Sequence, residues 1–111
     1  MAAVTSYADI IEQVLEVFTK IPYAAGDLVC EAIFDRSRGR FVLMTLGWDE
    51  DERVHHPLVH IDLIDGKAWI QTDNTEHGVA PDLVRAGIPA NKIVLAFRPV
   101  EVREHTEYAV A

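Results

Sequence analysis

The chain predicts an α+β fold: a single domain, mainly an antiparallel sheet of two hairpins plus one further strand, with an N-terminal helix and a second helix packed on one face. Three observations carry that expectation. Apolar residues near the N-terminus recur at helical spacing, whereas the middle of the chain switches to a period of two. Two pairs of strand-like runs are joined by short polar turns, Asp35-Arg36-Ser37-Arg38-Gly39 and Asp65-Gly66. A second helical stretch and a last apolar run complete the order α-β-β-β-β-α-β.

The first helix is expected from about Ser6 to Ile21. Ile10, Val14 and Phe18 are spaced by four, and Tyr7, Ile11 and Leu15 form the adjoining stripe. Ser6 and Asp9 are arranged as a capping box, with Asp in place of the longer Glu. Pro22 ends the helix, and Gly26 lets the connection change direction sharply.

Two strands follow, Leu28–Phe34 and Arg40–Gly47. Both parities of Phe41–Leu46 are almost wholly apolar, so that strand is central in the sheet or has one face in an oligomer interface.

The next hairpin joins Val59–Ile64 to Lys67–Thr72 through Asp65-Gly66, the pair that a two-residue type I′ turn favours because both positions need positive φ. Counting outwards sets Ile64 opposite Lys67, Leu63 opposite Ala68, Asp62 opposite Trp69, Ile61 opposite Ile70 and His60 opposite Gln71. Val59, Ile61, Leu63, Ala68 and Ile70 then share an apolar face. His60, Asp62, Trp69 and Gln71 share the other, and that polar-aromatic face is the candidate surface for function.

Asp73-Asn74-Thr75 offers caps for a helix from about Glu76 to Ala86 that directs Val79, Leu83 and Val84 inward, with Pro81 in its first turn or restarting it. Gly87 stops it, and Pro89 prevents continuation. Lys92–Phe97 reads as a buried strand, and Tyr108-Ala109-Val110 docks the carboxyl end.

At 111 residues the chain suits one core, and the domain is expected to span residues 1–111. Half the residues are apolar and a quarter charged, a balance that argues against disorder. No run approaches the ~20 apolar residues of a membrane span, and MAAVTSYADI has neither the basic nor the apolar segment of a secretory signal. A cytoplasmic protein without membrane contact is therefore expected. The single cysteine, Cys30, lies in an apolar run and reads as a buried structural thiol.

Net charge is −8, whereas proteins that bind DNA unaided present a basic face to the phosphates. DNA contact is accordingly expected to be indirect, through another protein. Arg36, Arg38 and Arg40 form the one basic cluster; they either grip phosphate or decorate a solvated hairpin tip. Asp49-Glu50-Asp51-Glu52 lacks the alternate ligand spacing and glycine of a calcium loop.

His60 and Asp62, with His56 on the same parity, could hold a metal or exchange a proton, or could make a structural hydrogen bond beside Trp69. Trp48 and Trp69 either close the edge of the core or anchor a partner, as Trp often does at interfaces. No glycine-rich phosphate loop, nucleophile elbow or HExxH motif is present, so no catalytic residue, metal ligand or cofactor is assigned.

Several separated segments, IPYAAGDLVCEAIFD, LGW, RVHHPLVHIDLIDGKAWIQTDNTEHGVA, LVRAGIPANKIVLAF and HTEYAVA, together resemble the XisI-type fdxN-element excision controlling factors in order and spacing. The resemblance covers nearly the whole chain. It departs at Glu52-Arg53, where a basic pair is expected, and at His105, where the family usually has Tyr. It implies a non-catalytic accessory role in excising a DNA element, beside a recombinase and an XisH-like, nuclease-like companion. The partner-binding candidates are His60, Asp62, Trp69 and Gln71, assisted by Trp48 and Arg53. A homo-oligomer through the sheet is a further partner expectation. The rival functions are an antitoxin-like inhibitor of a nuclease, a direct DNA-binding accessory protein using the three arginines, and a small metal-dependent hydrolase using His56, His60 and Asp62.

Overall fold

The computed structural model describes residues 6–21, 23 and 27–111. Helix α1, Tyr7–Thr19, starts where Ser6 accepts a hydrogen bond from the Asp9 amide, which satisfies one of the donors that the first turn leaves over. It buries Ile10, Ile11 and Leu15. The expected Pro22 stop and Gly26 turn lie outside the described residues.

Strands β1 (Asp27–Asp35), β2 (Arg40–Asp49), β3 (Glu52–Ile64) and β4 (Lys67–Asp73) form an antiparallel meander. Helix α2 (Ala80–Ala86) and a 3-10 turn (Ala90–Lys92) return the chain to β5 (Ile93–Leu95), which pairs parallel to β4. A short helix α3, Val100–Arg103, and a bridge between Val94 and Ala109 secure the end. The five strands therefore lie in chain order, and the α+β architecture is as expected.

One face of the sheet makes the core. Phe41 and Leu43 from β2, Val59 and Ile61 from β3, and Ala68 and Ile70 from β4 are wholly buried against α1 and α2. Their alternation with less buried neighbours is the period-two pattern made physical. Among the described residues Thr45 is the one buried polar side chain, and its hydroxyl shares a 2.8 Å hydrogen bond with the Tyr23 hydroxyl. The overall extents, 46 × 41 × 24 Å, are those of a slab two layers thick, a sheet and its helices.

The structure departs from the expected element bounds in several places. Strand β3 starts at Glu52 rather than Val59, because β2 runs on to Asp49 and keeps pairing with it through Trp48–Arg53. Pro57 is tolerated within β3 because β4 pairs only from Val59 onward, so no neighbour requires an N–H at that position. Helix α2 starts afresh at Ala80, with Pro81 in its first turn. The preceding loop is instead tied by Asp73, whose carboxylate accepts from the Thr75 amide and hydroxyl and from the Val79 amide. Val79 and Leu83 are buried as expected, but Val84 is exposed. The run Lys92–Phe97 yields only a three-residue strand.

Candidate functional site

The Asp65-Gly66 turn has φ values of 50° and 79°, the positive pair that a type I′ turn requires. It fixes the register Ile64–Lys67, Leu63–Ala68, Asp62–Trp69 and Ile61–Ile70. Beyond that the expected register fails. A bulge leaves Gln71 without a direct opposite, and His60 pairs with Thr72 instead.

The bulge does not disperse the cluster. Nε2 of His60 donates to Oδ1 of Asp62 at 2.8 Å, and Nε2 of Gln71 donates to Oδ2 of the same carboxylate at 3.3 Å. Asp62 is thereby held from both sides, and its side chain is only 17% exposed. A fixed carboxylate with an imidazole on one oxygen and an amide on the other forms a rigid polar patch. Such a patch can offer hydrogen bonds to a partner at little cost in ordering.

Trp69 is placed beside this patch but is not bare. The Arg103 guanidinium lies 5.9 Å from its ring centroid, within the range of a cation–π contact. Arg103 in turn donates to the carbonyls of Leu95, Ala96, Arg98 and Val110. The sequence offered no signal for this anchor, because its partners are backbone carbonyls brought together only by the tertiary fold. Val94 is opposite Trp69 and wholly buried, so the C-terminal segment closes the β4–β5 end of this face.

Trp48 and Arg53 sit opposite each other at the far end of the β2–β3 arm, with the guanidinium 5.4 Å from the indole centroid. Trp48 is 49% exposed. The six candidates therefore share one sheet face but occupy two places: His60, Asp62, Trp69 and Gln71 form a corner, and Trp48 with Arg53 form a separate tip.

His56 does not belong to the corner. A second register shift beside Leu43 and Met44 pairs Met44 with Pro57 and Thr45 with His56, which turns His56 toward the helix side and leaves His55, opposite Leu46, on the open side. Among the described residues no three His, Cys, Asp or Glu side chains converge as a metal site, so the set His56, His60 and Asp62 is not assembled.

The basic cluster is engaged within the molecule. Arg36 donates to Glu12 and to Asp9, clamping the β1–β2 turn onto α1, and Arg38 pairs with Asp35. These contacts pull both aspartates below the usual carboxylate range, Asp9 chiefly through Arg36 and Asp35 chiefly through the Ser37 hydroxyl and then Arg38. Arg40 is opposite Asp62 in the ladder. Cys30 is partly buried on the helix side, and burial pushes its thiol up. A groove of about 950 Å³ opens on the helix side, lined by Val14, Phe18, Ile21, Leu58, Pro81 and Arg85 among others; it contains none of the six candidates.

The XisI protein family matches residues 1–110. The chain belongs to the XisI family. A XisI-like protein from Anabaena variabilis shares its fold with a TM-score of 0.86 and 30% identity, over 95% of this chain and 96% of that one. The fdxN element excision controlling factor XisI of Anabaena variabilis superposes with a TM-score of 0.80 at 27% identity, again over 95% and 96% of the two chains. No curated protein matches. For this XisI-family chain the sheet-and-helix slab is thus shared across nearly its whole length.

Proposed function

We propose that the chain is a non-catalytic controlling factor for excision of a DNA element, acting through a protein partner rather than on DNA itself. The observation that carries this reading is the likeness over 95% of the chain to a protein whose name is fdxN element excision controlling factor. The partner named by the sequence resemblance is an XisH-like, nuclease-like companion. Its docking surface on this chain is the corner formed by His60, Asp62, Gln71 and the Trp69–Arg103 stack.

Two features support a protein rather than a nucleic acid as the direct partner. The charge of −8 disfavours unaided phosphate binding, and Arg36 and Arg38 already pair with carboxylates of the chain. An acidic regulator also suits masking of a basic DNA groove, which favours inhibition over activation of a nuclease.

The test is co-expression with an XisH-like, nuclease-like protein, followed by affinity capture at low salt. The two should co-purify. An Asp62→Arg variant that keeps the wild-type circular dichroism should lose at least ~30-fold in affinity, as a hot spot worth about 2 kcal/mol does. Failure of the wild-type pair to co-purify sinks the proposal.

A further inference from the structure

Of the two edges of the sheet, one is closed and the other is open. Strand β5 has three residues, and the bridge from Val94 to Ala109 occupies its outer side. Strand β1 has nine, and among the described residues it pairs with β2 alone. That pairing runs without a bulge, and the segment DLVCEAIFD contains neither the Pro nor the Lys that commonly keeps an edge from accepting another strand. Alternate residues of β1 therefore turn their N–H and C=O groups outward along about 30 Å of strand.

The two faces of β1 fix what a strand added to this edge must carry. On the helix side are Leu28, Cys30, Ala32 and Phe34, in register with Gly47, Thr45, Leu43 and Phe41. A cleft of about 390 Å³ lies beside them at the end of α1, lined by Ile21, Tyr23, Leu28 and Cys30 among others, so apolar side chains of an added strand find room there. On the open face Asp27, Val29, Glu31 and Ile33 alternate. Val29 and Ile33 are 50% and 53% exposed. Asp27 and Glu31 are exposed as well, and among the described residues neither has an ion-pair partner, whereas Asp35 is held by Arg38. Asp27 is opposite Trp48, so the exposed carboxylates of Asp49, Glu50, Asp51 and Glu52 lie at the same end of the sheet. The cation in that row of the open face, Arg53, is two strands away with Trp48 between.

We infer that the β1 edge accepts, by strand addition, an extended segment of another protein that is apolar on one face and on the other carries cations opposite Asp27 and Glu31, with apolar residues between them. The ladder of backbone hydrogen bonds supplies affinity, and the charge pairs and apolar pairs on the open face select the sequence. Register is specified too, because a slip of one residue would turn the cations onto the apolar helix side. The added strand extends the sheet away from β3, which β2 separates from β1. His60 and Asp62 stay open to the companion proposed above, and the two sites are tested separately.

The probe is a synthetic strand, Lys-Thr-Val-Ile-Lys-Ile-Val-Thr-Lys, which sets lysines opposite Asp27 and Glu31 in either chain direction. The purified chain should bind it, and β1 amides that exchange freely in the unbound protein should slow by about tenfold or more. A probe with Glu in place of the three lysines should bind about tenfold more weakly. In a chain carrying Asp27→Lys and Glu31→Lys that preference should invert. The double variant is compared once its circular dichroism matches wild type, and the milder Glu31→Gln should by itself weaken binding of the lysine probe. Failure of the lysine probe to bind the wild-type chain overturns the inference. So does binding that adds no protection in β1, which is charge attraction without strand pairing, or a preference that the charge reversal leaves unchanged.

Discussion

Arg36 shows how one side chain can decide between two functional expectations. Its guanidinium donates to Glu12 at 2.7 Å and to Asp9 at 2.6 Å, so it links a hairpin turn to a helix that begins about thirty residues earlier in the chain. Asp9 in return ionises below the usual aspartate value of 3.8. The pair stabilises the fold fully above 3.8, and the contribution is lost as the pH falls through the lowered folded-state value. Replacing Arg36 with Gln should move the Asp9 carboxyl midpoint up toward 3.8, as an NMR titration of its side-chain carbon would show. An unchanged midpoint would mean that the clamp is absent in solution. The sequence displayed the three arginines plainly, but it could not show their partners, because Asp9 and Glu12 become neighbours only through tertiary packing.

At the scale of elements, much of the sheet was legible and its irregularities were not. The Asp65-Gly66 pair specifies a turn type by backbone sterics alone, and four rungs of register follow from it. The bulges at Gln71 and near Leu58 depend on how neighbouring strands compete for pairing, and a period-two pattern carries no mark of them. That is why His56 was expected beside His60 and is found on the other side. Glycines report the same contrast between local and tertiary constraint. At Gly66 an added Cβ meets no atom within 4 Å, whereas at Gly47 it would lie 2.0 Å from the Asp27 carbonyl oxygen. A Gly66→Ala change should therefore cost only the positive-φ strain, about 1 kcal/mol. Gly47→Ala should cost clearly more, because strain of about 1–3 kcal/mol is joined by a backbone collision that separates β1 from β2. Urea unfolding of the two variants compares them; equal midpoints would contradict the close approach of these strands.

For the molecule as a whole, the carboxyl end is the part that sequence patterning left most open. Arg103 gathers four carbonyls and covers Trp69, and the Ala109 amide donates to the Ile93 carbonyl at 2.8 Å. An Arg103→Ala change should release this closure, so hydrogen exchange at the Ala109 amide should quicken while amides in β2 and β3 keep their protection. Uniform loss of protection would instead show that the C-terminal segment unfolds only with the entire domain. The fold class was legible because hydrophobic period and turn chemistry agree along the chain. The candidate corner was legible in composition, since His60, Asp62, Trp69 and Gln71 all share its face. Its limits were not, because Arg103 arrives from a segment with no distinctive pattern.

Strand β1 lies at the edge of the sheet, and its segment Asp27–Asp35, DLVCEAIFD, reads nearly the same in both directions. Such a strand would ordinarily template antiparallel pairing with another copy of itself, edge to edge. Antiparallel addition centred on Glu31 would set that carboxylate against its own copy and Asp27 against Asp35. The near-palindrome thus carries its own safeguard against edge-to-edge pairing, with the like charges placed at the positions where self-templating would bring them together.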